Sequence, residues 1–307
     1  MAGPTIDRKR TVPIDEDFER YLGTMLLAPF GGAFLDQVVL DDVSAGVEWS
    51  GRFRLDPYGR ALRTGAVDLV YFGGDAEARS RTGEWLRRAH EDVHGTHDGV
   101  RFSALRPDAW NWIIKSALHL YLHAYPVITG DPLTANRAEQ LYQYLLYKVD
   151  DLMLPAQRDR FPRTVEEFTD DYAHTLATRA IATVTLERES RRLIAPPAPP
   201  GLPRVLRPGW TIARPLISRV VVACSFGVTD GRVRNLSAVD WSAANERDFQ
   251  RARRILPLLY RLPRRLTMHP LAYHSFRARR LTEVLESTRL SDFRPDQAPS
   301  GGSGCPF

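Results

Sequence analysis

The sequence predicts an all-α fold, a single large helical domain, and three observations carry that prediction. Within 75–94 the apolar residues Leu86, Ala89 and Val93 fall on one side of a 3.6-residue helix. Helix-start signals recur along the chain: Asp56-Pro57, Pro132 with Thr134, and the capping box Thr164-Val165-Glu166-Glu167. No P-loop, dinucleotide fingerprint or internal repeat interrupts the pattern. At 307 residues and 43% hydrophobic the chain can bury a substantial core, and one domain is the simplest division.

Taken in order, residues 1–15 are polar and read as a flexible tail before a core spanning 16–194. Phe18 to Trp49 reads as helices broken at Pro29-Phe30-Gly31-Gly32. The next helix runs from Asp56-Pro57 to Gly73-Gly74, and another from Asp75 to His94, just before Gly95. Trp110 to Tyr125 is strongly apolar, with His119 and His123 one turn apart; they could bind a metal, but a structural role among aromatics is favoured. Helices then cover Pro132 to Leu152 and Thr164 to about Arg179. Residues 195–209 are Pro-rich, and their missing backbone donors predict an irregular hinge. C-terminal helices of the same domain occupy 210–290, around Pro215 to Phe226, Glu246 to Leu259 and Leu271 to Ser287; Val220-Val221-Val222 is β-prone. The tail 291–307 reads as disordered.

His90-Glu91-Asp92-Val93-His94 matches H-E-x-x-H, the zinc-hydrolase pattern that puts two imidazoles one turn apart with a glutamate as general base. A zinc hydrolase would use His90 and His94 as ligands and Glu91 as base. Arg87 falls in the wedge between them, however, and His97 comes too early to be the third ligand of a metzincin. Arg87–Glu91 and Arg88–Asp92 are spaced as i,i+4 pairs pointing away from the apolar stripe. A hydrogen-bonded core histidine would also account for His90 at the stripe's edge. On the preceding helix Arg60, Arg63, Thr64 and Val67 share one face, with Leu62 and Leu69 opposite. A helix apolar on several sides is predicted to be buried, so its arginines need partners, and Asp68 is at neither i,i+3 nor i,i+4 from them. An anionic ligand or ion pairs with distant acids both satisfy that need.

Arg60-x-x-Arg63-Thr64, a glycine-terminated helix and then His90-x-x-Val93-x-Gly95 together resemble the MpaB/rubber-oxygenase catalytic-domain family, which includes the latex-clearing proteins. The resemblance continues through Phe102 to Pro107, Trp112-Ile113, Asp131 to Thr134, Phe161 to Phe168 and the block from Pro215 to Pro263. Arg106 stands where the family's run has an Asp, and His94 where several relatives carry a basic residue. The resemblance implies a helical fold around haem b, with His90 as axial iron ligand and Arg60 and Thr64 lining the pocket. Arg63 takes the place of a lysine that can ligate iron in the rubber-cleaving members; a guanidinium stays protonated and offers no lone pair. Asp41, Asp42 and Glu48 are the acids near the place of the family's upstream base, and none aligns with it. The implied activity is a haem-dependent oxygenase using dioxygen on a small apolar, alkene-containing metabolite such as a prenyl or terpenoid compound, with an electron donor as a further partner. Arg60, Arg63 and Thr64 are the expected catalytic side chains, Arg60 or Arg63 holding a propionate or polarising oxygen and Thr64 donating a hydrogen bond. A non-catalytic haem or apolar-ligand binder is the other reading beside the zinc hydrolase.

Two cysteines, Cys224 and Cys305, are too few for a disulfide scaffold. Neither a signal segment nor an apolar run approaching 20 residues is evident, so a cytoplasmic protein without stable membrane insertion is expected. Arginine far outnumbers lysine, present only as Lys9, Lys115 and Lys148, within a net charge of +5. The arginine-rich stretch Arg247 to Arg280 also contains Ile255, Leu256, Leu258 and Leu259, and reads as a solvated helix face rather than a nucleic-acid site.

Overall fold

The computed structural model describes residues 15–154, 158 and 160–287. Helix α1 (Glu16–Leu22) leads into a run of 3₁₀ turns (Met25–Val39), then α2 (Asp41–Ser50), α3 (Arg52–Leu55), α4 (Pro57–Gly73) and α5 (Ala76–Ala89). A two-stranded antiparallel hairpin follows, β1 (His94–His97) and β2 (Val100–Ser103), pairing His94 with Ser103 and His97 with Val100. The rest is helical: α6 (Pro107–Thr129), α7 (Ala135–Val149), α8 (Val165–Arg179), α9 (Val184–Ile194), α10 (Arg207–Val228), α11 (Gly231–Leu236), α12 (Ala243–Tyr260), α13 (Arg264–Thr267) and α14 (Pro270–Ser287). The architecture is all-α, with the hairpin as the single described sheet.

Helix α6 is the central element. Trp112, Leu118, Tyr121, Ala124, Tyr125 and Ile128 are all buried, and the 3₁₀ run and α12 pack on it. The Trp112 indole donates to the carbonyls of Gln37 (3.1 Å) and Asp36 (3.3 Å) and stacks on Tyr172 at 5.0 Å. Pro29 cannot donate within the 3₁₀ run. The run is anchored instead by Ser225 of α10, whose hydroxyl accepts from Gly32 N (3.0 Å) and donates to the Pro29 carbonyl (3.0 Å). The approach is close: a Cβ on Gly32 would stand 2.5 Å from Leu193 and 2.7 Å from the Ser225 hydroxyl. At the other end of the core, Glu19 of α1 accepts from Tyr144 (3.1 Å) and Arg279 (2.5 Å) and lies 3.5 Å from the Lys148 ammonium. Burial pushes Lys148 down to about 8 although Glu19 opposes the shift.

Several expectations need correction. The helix predicted over 75–94 stops at Ala89, and the chain then turns into the hairpin. Arg87 therefore donates to the Asp151 carbonyl (2.8 Å) and Arg88 pairs with Glu84 (3.1 Å), rather than with Glu91 and Asp92. The hairpin signal was present in Asp98-Gly99, whose positive φ values of 49° and 80° suit a two-residue turn between strands. Among its described side chains, helix α4 is buried only near its end, at Tyr71 and Phe72; Arg60, Thr64, Val67 and Asp68 share a half-buried face. The Pro-rich stretch ends sooner than 209. Residues Arg204–Leu206 form a 3₁₀ turn and α10 starts at Arg207, with Pro208 in the first turn, where a missing donor costs nothing. Counting that turn, Arg204–Val228 is long and apolar enough to cross a membrane, at mean hydropathy 1.4, although the sequence showed no such run. Its C-terminal half is core: Val222, Ala223, Cys224, Ser225 and Phe226 are buried. The predicted tails, and Cys305 with them, lie outside the described residues apart from Asp15.

Asp36 is buried and accepts from the Tyr172 hydroxyl at 2.6 Å; desolvation still raises its pKa to about 7. A carboxyl raised on folding holds its proton in the native state while the unfolded chain releases it near 4, so its contribution falls away as pH rises from about 4 to about 7. Asp36→Asn keeps an acceptor for Tyr172 and removes that titration. The variant is expected to gain on the parent as pH rises from 4 to 8, by on the order of 1–3 kcal/mol. Urea unfolding at several pH values checks it; a pH-independent difference would count against the assignment.

Candidate functional site

His90 caps the C-terminus of α5, its backbone N–H donating to the Arg87 carbonyl at 3.1 Å. Its Nδ1 lies 2.7 Å from the Leu86 carbonyl oxygen. A carbonyl only accepts, so Nδ1 carries the proton and Nε2 keeps its lone pair. The Trp110 ring stands edge-on to the imidazole at 5.6 Å, itself fixed by an indole bond to the Leu152 carbonyl (2.8 Å). Burial lowers the His90 pKa, the Leu86 bond opposes this, and the Arg60 and Arg52 charges lower it further. The half-buried imidazole is therefore neutral at pH 7, the state a metal requires.

Arg60, Thr64 and Asp68 recur every four residues along α4. The Arg60 guanidinium donates to the Thr64 hydroxyl (3.0 Å), which donates back to the Arg60 carbonyl (3.1 Å). Asp68 is hydrogen-bonded by the Tyr121 hydroxyl; burial raises its carboxyl to about 7 despite Tyr121 and the Arg60 charge. Sequence reasoning discounted Asp68 because it is neither three nor four residues from an arginine. The eight-residue step to Arg60 is two turns with Thr64 between, and that periodicity was the available signal. Tyr121, Trp110 and Arg52 carried no such signal, since tertiary packing brings them here.

Arg63 is placed otherwise. It is half exposed and pairs with Asp56, the N-cap of its own helix, at 3.3 Å. The upstream acids are engaged as well: buried Asp42 binds Arg106 and Arg179, and Glu48 accepts from Arg188 (2.7 and 2.9 Å) and Thr185 (2.5 Å). Arg106, which departs from the family's Asp, thus has a structural partner. The helical spacing on which the zinc reading rests is not formed. His94 opens β1 while His90 ends α5, so the two imidazoles do not stand one turn apart on a helix. Among the described residues no three His, Cys, Asp or Glu side chains converge on a metal site. His119 stacks on Tyr172 at 4.1 Å and meets the tilted His123 ring at 4.1 Å, as the structural reading expected.

A family model described as the ER-bound oxygenase mpaB/B'/rubber oxygenase catalytic domain matches residues 20–258. The chain belongs to this family. The match takes in the hairpin and every helix from α2 to α11, and so the whole cluster around His90. An oxygenase family makes the chain an oxidoreductase by descent, and its all-α architecture agrees with the resemblance. The comparisons found no match among curated proteins or solved structures.

Proposed function

We propose that this chain is a haem b-dependent oxygenase acting on a small apolar, alkene-containing metabolite, with dioxygen as co-substrate and a separate electron donor. The observation that carries the reading is the Leu86 carbonyl fixing the His90 tautomer with Nε2 free of its proton. A ligating histidine needs its other ring nitrogen held by an acceptor, and His90 has one. The donor set fits haem: one neutral imidazole, with two cations, Arg60 and Arg52, close enough to depress its pKa and suited to carboxylate groups. Haem b would supply the iron chemistry with dioxygen that no side chain offers.

The chain's own residues have distinct roles in this reading. His90 donates the Nε2 lone pair. Arg60 binds a propionate and Thr64 holds its guanidinium in place. Asp68, with its pKa near 7, exchanges a proton with its surroundings at neutral pH while Tyr121 holds the carboxyl. Arg63 supports the start of α4 through Asp56 and is an outer partner at most.

The test is the visible spectrum of the protein with added hemin, before and after dithionite, and then with carbon monoxide. A Soret band that shifts at both steps is expected. A featureless spectrum sinks the reading. A haem spectrum with no oxygen uptake against any reductant and alkene would leave a binding protein instead.

A further inference from the structure

We propose that the first half of α10, with the 3₁₀ turn before it, docks on the surface of an anionic phospholipid bilayer. The helix has two unlike halves. From Val222 onward it is almost wholly buried against the 3₁₀ run and α12. From Arg204 to Ile217 every side chain except the half-buried Trp210 is exposed. Ile212 and Leu216 are 81% and 65% exposed, Val220 continues their face one turn later, and Val205 and Leu206 stand open at its start. Isolated exposed aliphatics are ordinary on a soluble surface; a row of them on a helix projecting from the core marks an interaction face.

Charge selects the occupant. No acid occurs between Glu189 and Asp230, a stretch with six arginines: Arg191, Arg192, Arg204, Arg207, Arg214 and Arg219. Arg191, Arg192 and Arg219 pair with Glu187, Glu189 and Asp248. Arg204, Arg207 and Arg214 form no ion pair among the described residues. At 100° per residue, Arg207 and Arg214 lie on the side of the helix opposite Ile212 and Leu216. An aliphatic row with unpaired guanidiniums on the same half of a helix is the composition of an interfacial helix, whose apolar side enters the acyl boundary while its basic groups meet lipid phosphates. A second copy of this face would bring unpaired arginines together with no acid to offset them. Crossing the bilayer is excluded by the buried second half, where Ser225 is bonded to Gly32 and Pro29. The contact is therefore peripheral.

The test is co-sedimentation of the full chain with phosphatidylcholine vesicles, with and without phosphatidylglycerol, at low and high salt and with and without hemin. Binding is expected only to the anionic vesicles and to weaken with salt. Ile212→Asp with Leu216→Asp, and separately Arg207→Ser with Arg214→Ser, are each expected to weaken it about tenfold or more. These side chains are exposed, so circular dichroism should be unchanged. Equal binding to neutral vesicles, or a double-aspartate variant sedimenting like the parent, would overturn the proposal. So would a parent dimer that the aspartates split, because a second copy would then cover the face.

Discussion

Replacement of His90 by alanine is expected to abolish haem retention, weakening hemin binding by more than about 100-fold, and to leave helical content intact. The fold does not depend on this side chain. It is half-buried at the end of α5, and among the described residues its side-chain hydrogen bond is to its own helix. Arg60→Ala should be milder, about tenfold, because Arg52 remains as a second cation. The pH dependence has a definite sign. Protonation of Nε2 competes with the metal, so affinity should hold above the lowered His90 pKa and fall as pH drops through it. Hemin titration followed in the Soret region, with far-ultraviolet circular dichroism on the same samples, checks all three. Full occupancy in the His90→Ala protein would remove His90 from the site.

Glu19→Ala should be strongly destabilising, costing about 3–5 kcal/mol. It leaves the Lys148 ammonium, 2% exposed, without its carboxylate and the Tyr144 hydroxyl without its acceptor. Arg279 is about one-third exposed and can turn to solvent. Glu19→Leu combined with Lys148→Met should recover most of the loss, since the pair's value lies in mutual compensation. Shifts in the urea midpoint measure both. A loss under about 1 kcal/mol for Glu19→Ala would place this cluster with ordinary surface ion pairs.

The fold was legible where local chemistry decides it. Thr164 caps α8 as its sequence predicts, accepting from Glu167 N at 3.2 Å, although the Glu167 carboxylate returns to Arg163 N rather than to the cap. His90 was singled out as a candidate ligand by the H-E-x-x-H pattern and by the family resemblance. Its actual position at a helix end was missed, because helical periodicity fades gradually while Asp98-Gly99 reverses the chain within two residues. Arg63 was paired with the site because one helical face holds both it and Arg60. The structure gives it to Asp56, since a cap carboxylate about two turns earlier lies on its own face of the helix. The 3₁₀ run and the contacts of Tyr121 and Trp110 were illegible for one reason: each is set by packing between segments far apart in sequence. Helix α9 was overlooked although its start is local, Thr183 accepting from Leu186 N at 3.1 Å.

A histidine on the last turn of a helix would ordinarily share in the fraying of that turn. Here Val93 N bonds back to the His90 carbonyl (3.1 Å), and the Val93 carbonyl accepts from Ala104 N (2.8 Å) at the far side of the hairpin. A hairpin this short has little stability alone. It is held by Phe102, 3% exposed and packed on Trp49 of α2 at 5.5 Å. The imidazole is thus pinned from two directions, by the rigid rod of α5 and by a peg driven into a different helix. The backbone that carries the ring has one of its anchors in Phe102, twelve residues away in sequence.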